Sequence, residues 1–174
     1  LLDVELVSRR ENLGLVHHDG EWQPYWDGWI AWMREQGWRR FGWYVWDQMH
    51  GLRGDWNGRL SPSHEFVFHF NRRPVRPNKW VECIHACETG GALRSADGSF
   101  AAVTIYEIQT HKIPDSVFRI QRQKGGVDGH PAPFSVPLVT VVLRSWDGVV
   151  YEPFSGSGTT ILACERLGRA CRGV

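Results

Sequence analysis

The stretch "VVYEPFSGSGTTILACERLGRACRGV", Val149–Val174, decides the fold. "VVYEPF" reads as a buried strand, "SGSG" as a turn of small residues, and "TTILACERLG" as a helix closed by Gly168. "RACRGV" then begins a second strand. A strand, a crossover helix and a second strand make a parallel pair. Gly156 and Gly158 let the turn take backbone angles that a Cβ resists, and let a ligand come close. The unpaired N–H groups that open the helix, with its dipole behind them, favour an anionic group.

Three ligand classes use such a turn. A P-loop needs Gly-x-x-x-x-Gly-Lys-Ser/Thr, whereas Thr159 follows Gly158 here. A dinucleotide turn needs Gly-x-Gly-x-x-Gly, and Ile161 stands at its third glycine. The remaining class carries a carboxylate and an ammonium together, as the amino-acid end of S-adenosylmethionine does.

Working back from this unit, "HPAPFSVPLVTVVLRSW" (130–146) starts as a Pro-rich turn and becomes a helix from about Val136, with Pro137 in its first turn. Val139, Val142, Leu143 and Trp146 give that helix an apolar side. "RRFGWYVWDQ" and "HEFVFHFNRR" read as strands, the second with Phe66, Phe68 and Phe70 on one face. The Gly-, Asn- and Pro-rich text between them is loop. "ENLGLVHHDG" reads as a short buried strand. "WQPYWDGWIAWMREQGW" reads as a helix whose Trp22, Trp26, Trp29 and Trp32 face the core, stopped by Gly37. Pro74 to about Gly129, basic and turn-rich with short strands at best, reads as an insertion projecting from the core sheet.

The 174 residues suit one domain with a proper core, and 42% apolar with 22% charged residues is ordinary for a globular protein. No apolar run approaches the roughly 20 residues that span a bilayer, no secretory signal opens the chain, and the four cysteines form no disulfide framework. A reduced, cytoplasmic setting follows. The net charge is +1, but Leu52–Gly125 holds eleven Lys/Arg against seven Asp/Glu, compatible with a polyanionic partner. Cys83-x-His85-x-Cys87 lacks the second pair a zinc site needs, so no metal is expected. The lack of an initiating Met and the strand-like ending point to further residues at both ends.

"EPFSGSGTT" followed by "ACERLGRACRGV" resembles the cofactor motif of the β-class DNA amino-methyltransferases, the N4-cytosine/N6-adenine family. That motif reads Asp-Pro-Phe-x-Gly-Ser-Gly-Thr-Thr, then a helix, then Gly-Arg-x-x-x-Gly-Ile-Glu; Glu152 stands for its Asp and keeps the charge. "HPAPFSVPL" is similar to the family's His-Pro-x-x-x-Pro-x-x-Leu element. "GWYVWDQMHGLRGDWNGRLSPSHEFVFHFNR" (42–72), with His64–Glu65, is similar to the segment before the recognition region in phage-type modification methylases. The likeness runs from about Asn12 to Val174.

The resemblance implies an α/β, Rossmann-like S-adenosylmethionine-dependent methyltransferase fold with a target-recognition insertion. Residues 1–72 would form the first part of the core, 73–129 the insertion, and 130–174 the cofactor part. It implies methyl transfer from S-adenosylmethionine to the amine of adenine (N6) or cytosine (N4) in double-stranded DNA, with no membrane partner. A homodimer and a restriction-modification or phage role are further expectations. Glu152, Pro153, Phe154, Gly156, Gly158 and Thr159 would hold the cofactor, Glu152 at its ammonium and Thr159 with the helix start at its carboxylate. Phe154 would line the adenosine pocket, and His130 and Pro131 would border it. Arg53, Arg59, Arg72, Arg73, Arg76 and Lys79 would meet DNA phosphates, with Arg119, Arg122 and Lys124 next. The family's catalytic Asp/Asn/Ser-Pro-Pro-aromatic motif has no counterpart in the 174 residues; "WQPYW" (22–26) lacks its polar residue and Pro-Pro pair. A methylase remnant that only binds DNA or partners, and a small-molecule methyltransferase or nucleotide-binding protein, stay open beside the enzyme.

Overall fold

A computed structural model describes residues 15–18, 21–24, 26–51, 53–54, 60–84, 92–102, 109–123 and 135–174. Its central piece is β3 (Arg39–Asp47), paired antiparallel with β4 (His64–Asn71) along its whole length, with one irregularity between Arg40 and Gly42. The period of two in β4 places Phe66, Phe68 and Phe70 on one face and Val67, His69 and Asn71 on the other. Helix α1 (Trp26–Glu35) covers the phenylalanine face, with Ile30 and Met33 buried against Phe68 and Phe70. Trp26 and Trp29 meet the phenylalanine rings edge-on, Trp29 to Phe70 at 4.9 Å. Gly37, at φ 84°, ends the helix as its sequence position implies.

The opposite face receives α2 (Val136–Ser145), whose Leu138 packs on Trp46 and Val67. The His69 ring meets Trp146 edge-on at 4.7 Å. The next stripe of α2, Val139 and Leu143, packs on Ala163 and Cys164 of α3 (Thr159–Arg166). One amphipathic helix therefore ties the central sheet to the C-terminal unit, where β10 (Val150–Glu152) and β11 (Cys171–Gly173) pair in parallel.

Three expectations need correction. Trp22 belongs to a strand, β2 (Glu21–Pro24), paired antiparallel with β1 (Leu15–His18). Pro24 carries no N–H and biases the preceding residue toward extended backbone, so the helix starts only at Trp26. Trp32 is 52% exposed, because the core stripe runs through Trp26, Trp29, Ile30 and Met33. Strand β10 is not buried: Tyr151 is 62% exposed on its outward face.

The stretch after Pro74 also differs from a wholly projecting insertion. Strand β9 (Val117–Arg119) pairs in parallel with β3, giving the order β4-β3-β9. Near its start, Asn78 donates its backbone N–H to Ser145 O at 2.8 Å, and Arg144 lies 4.0 Å over the Trp80 ring. The stretch is thus anchored to α2 at one end and to the sheet at the other. Between the anchors, β5 (Val81–Glu82) pairs with β8 (His111–Lys112) and β6 (Ala92–Arg94) with β7 (Phe100–Ala102), both antiparallel. Among the described residues, no helix is long and apolar enough to cross a membrane.

His69, buried between sheet and α2, shares a 3.0 Å hydrogen bond through Nδ1 with Tyr44 Oη. Burial holds its pKa below the ordinary 6.5. The unfolded chain therefore binds the extra proton first as pH falls. This contribution to stability is present above about pH 6.5 and is lost as pH drops through the lower folded value. Urea midpoints measured between about pH 5 and about pH 7.5 should rise with pH, and His69→Gln should flatten that rise.

Candidate functional site

The turn between β10 and α3 is fastened from several sides. Pro153 interrupts the strand. The Phe154 N–H then donates to Glu152 Oε1 at 2.9 Å, and Thr160 Oγ1 donates to Glu152 Oε2 at 2.8 Å. The Ser155 N–H reaches Val174 O at 3.3 Å, and the Val174 N–H reaches Glu152 O at 3.1 Å, so the turn lies against the end of β11. The Gly158 N–H bonds to Ser155 O at 2.7 Å. Gly156 and Gly158 have φ of 51° and 78°, the left-handed region expected of them.

The first bond of the α3 ladder runs from the Leu162 N–H to Gly158 O at 2.9 Å. The amides of Thr159, Thr160 and Ile161 lie ahead of that ladder, at the positive end of the helix dipole. A Cβ on Gly158 would meet no atom within 4 Å, so the approach to these amides is open. Phe154 is 83% exposed beside it, whereas Thr159 is buried, with Oγ1 at 3.3 Å from Ser157 Oγ. The structure thus brings Glu152, Pro153, Phe154, Gly156, Gly158 and Thr159 into one turn. His130 and Pro131 lie outside the described residues.

Three residues of this unit escaped the sequence reading. Thr160 is the second threonine of the motif, and its link to Glu152 is visible only in three dimensions. On Gly173 a Cβ would collide with Ser155 Oγ and stand 2.9 Å from Ile161 Cδ1, so this strand end must be bare for the turn to settle on it. Arg169 donates to the carbonyls of Leu143, Trp146 (2.6 Å) and Gly148 (2.5 Å), capping the end of α2 from the loop after α3. Its place in the Gly-Arg pair was the available signal. Beneath the helix, burial and then the neighbouring Cys171 push the Cys164 thiol up to about 11, which leaves it an unreactive core group.

The basic residues divide between the two ends of the β3–β4 pair. Arg72, Arg73 and Arg76 follow the end of β4 and are exposed, with Arg72 stacked 4.8 Å from the Trp38 ring. Lys79 is exposed and donates to Gln109 Oε1 at 2.8 Å. Arg53 and Arg119 are exposed at the other end, since Arg119 aligns with Asp47 at the edge of the 48–63 loop. Arg122 is half-buried, and its Nε donates to Oε1 of the buried Gln48 at 2.5 Å. Gln48 Nε2 donates in turn to Glu65 Oε1 at 2.6 Å. Arg122 thus anchors a network at the root of that loop. Arg59 and Lys124, like His85 and Cys87 of the cysteine motif, lie outside the described residues. Among the described residues, no three His, Cys, Asp or Glu side chains come together to hold a metal.

Compared with known proteins, the chain is similar to the solved structure of M1.HpyAVI in complex with SAM, with a TM-score of 0.54 and 18% identity. That match covers 86% of this chain and 62% of that one. It is also similar to TTHA0409, a DNA modification methylase of Thermus thermophilus complexed with S-adenosyl-L-methionine, with a TM-score of 0.51 and 17% identity. Here 99% of this chain and 60% of that one are covered. The chain therefore spans about three fifths of the length of each. A search of curated proteins returns no match. The mixed α/β fold is that of S-adenosylmethionine-dependent DNA methyltransferases. A family model described as DNA methylase matches residues 13–174, and the chain belongs to that family.

Proposed function

We propose that this chain carries the cofactor half and target-recognition insertion of an enzyme that moves a methyl group from S-adenosylmethionine to the exocyclic amine of adenine or cytosine in double-stranded DNA. The observation that carries the reading is the open turn from Glu152 to Thr160. It sets a carboxylate beside unpaired helix amides, next to an exposed aromatic ring. The α-amino-acid end of the cofactor matches this donor set: its ammonium suits Glu152, and its carboxylate suits the amides of Thr159–Ile161. Phe154 offers a face for the adenosine. When bound, the cofactor supplies an electrophilic methyl on a sulfonium.

The chain's own contribution is alignment, which a direct displacement needs more than an acid or base. Arg53, Arg72, Arg73, Arg76, Lys79 and Arg119 would hold DNA phosphates, and the 73–129 stretch would meet the target sequence. Arg122, committed to Gln48, is assigned to shaping the loop at 48–63 instead. Restriction-modification or phage self-protection, a homodimer and a cytoplasmic setting belong to the same reading.

Calorimetry with S-adenosylhomocysteine, followed by labelled S-adenosylmethionine with plasmid DNA or free nucleotides, tests it. Uptake of the nucleoside and label on the DNA amine are the expected results. Uptake without transfer marks a methylase remnant that binds only, and label on nucleotides alone overturns the DNA assignment.

A further inference from the structure

Resting on that reading of the turn, we infer that Thr160 is a positioning residue which, by holding the Glu152 carboxylate in place, makes the site select ligands with an intact α-amino-acid end. Glu152 sits where β10 stops. Its two oxygens are each taken once, Oε1 by the Phe154 amide and Oε2 by the Thr160 hydroxyl. A carboxylate has about four acceptor positions, so lone pairs on both oxygens remain for a cation. Two donors on opposite oxygens fix the plane of the carboxylate before any ligand arrives.

The geometry also explains what glutamate achieves here. The related motif carries aspartate at this position, shorter by one carbon–carbon bond of about 1.5 Å. Aspartate reaching the Phe154 amide would fall short of Thr160, one turn into the helix. Thr160 and Glu152 therefore work as a pair. Their charge has a second effect, because a fixed carboxylate next to the helix start repels a ligand that brings a negative group alone. A ligand with an ammonium beside its carboxylate satisfies both partners, the amides and Glu152. The strap thus grips the amino-acid end and leaves the nucleoside end to other contacts.

The test compares S-adenosylhomocysteine, which has the amino-acid end, with 5′-methylthioadenosine, which lacks it. Binding of each to the full chain is measured by calorimetry for wild type, Thr160→Val, Thr160→Ser and Glu152→Asp. Thr160→Val should weaken S-adenosylhomocysteine by about threefold to tenfold, the cost of ordering one unpinned side chain on binding. Methylthioadenosine should stay within about a factor of two, and Thr160→Ser should restore tight binding. Glu152→Asp should show the same ligand split, and adding Thr160→Val to it should cost little more, because the two positions share one interaction. Equal weakening of both nucleosides by Thr160→Val, or no weakening of either, overturns the positioning role while leaving the methyl-donor reading intact. Failure of the wild-type chain to bind S-adenosylhomocysteine overturns both.

Discussion

Replacing Gly158 by valine is expected to reduce binding of S-adenosylhomocysteine by more than about 100-fold, or at least about 2.7 kcal/mol. Two effects combine at this position. The residue has φ 78°, a left-handed conformation that costs an L-residue about 1–2 kcal/mol and a β-branched one more. A Cβ there meets nothing of the protein within 4 Å, so the isopropyl group projects into the open approach to the Thr159–Ile161 amides. Strain alone would lower the melting temperature and leave the folded population able to bind. Occlusion would abolish binding in a chain that still folds. Gly158→Asn separates the two, because asparagine tolerates the left-handed region yet still fills the space. Calorimetry on both variants, alongside thermal unfolding, should show Gly158→Asn nearly as stable as wild type but also defective in binding. Full binding by Gly158→Asn would mean that the amino-acid end is held elsewhere.

How much of this was legible in the sequence follows from where each signal resides. Strands β3 and β4 and helices α2 and α3 are written in local periodicity, and the structure has them where the pattern implies. The turn was legible because only glycine suits Gly156 and Gly158. The start of α1 was misread because four tryptophans kept the helical period across Pro24, and the backbone constraint of proline outweighs a side-chain pattern. Tyr151 looked buried because a run of apolar residues does not reveal whether its strand is covered on both faces. Arg122 looked like a phosphate contact because composition shows charge and not partners; Gln48 lies 74 residues away along the chain. Thr160, Arg169 and Gly173 were hidden for the same reason. Each acts through a contact that exists only once the β-α-β unit has closed.

The second large effect is expected at Phe70. Its side chain is 0% exposed, packed edge-on to Trp29 at 4.9 Å and clustered with Ile30, Met33 and Phe68. Truncation to alanine removes the ring's transfer free energy and leaves a cavity between a helix and a sheet that are both held by other contacts. Such changes cost about 3–5 kcal/mol, against a total stability of about 5–15 kcal/mol for a typical domain. Trp32→Ala is the matched control on the helix that covers this face. At 52% exposure the larger ring should cost within about 0.5 kcal/mol, although helical period alone would rank Trp32 with the core-facing tryptophans. Urea midpoints for both variants give the comparison directly. If Phe70→Ala costs under about 1 kcal/mol, α1 does not cover this face of β4. If the two costs come out reversed, the core stripe runs through Trp32 and the helix is rotated from the orientation described. The expected asymmetry fixes which side of α1 faces the sheet. It also leaves the opposite face of β4, with His69 and Val67, as the one that receives α2 and through it the cofactor turn.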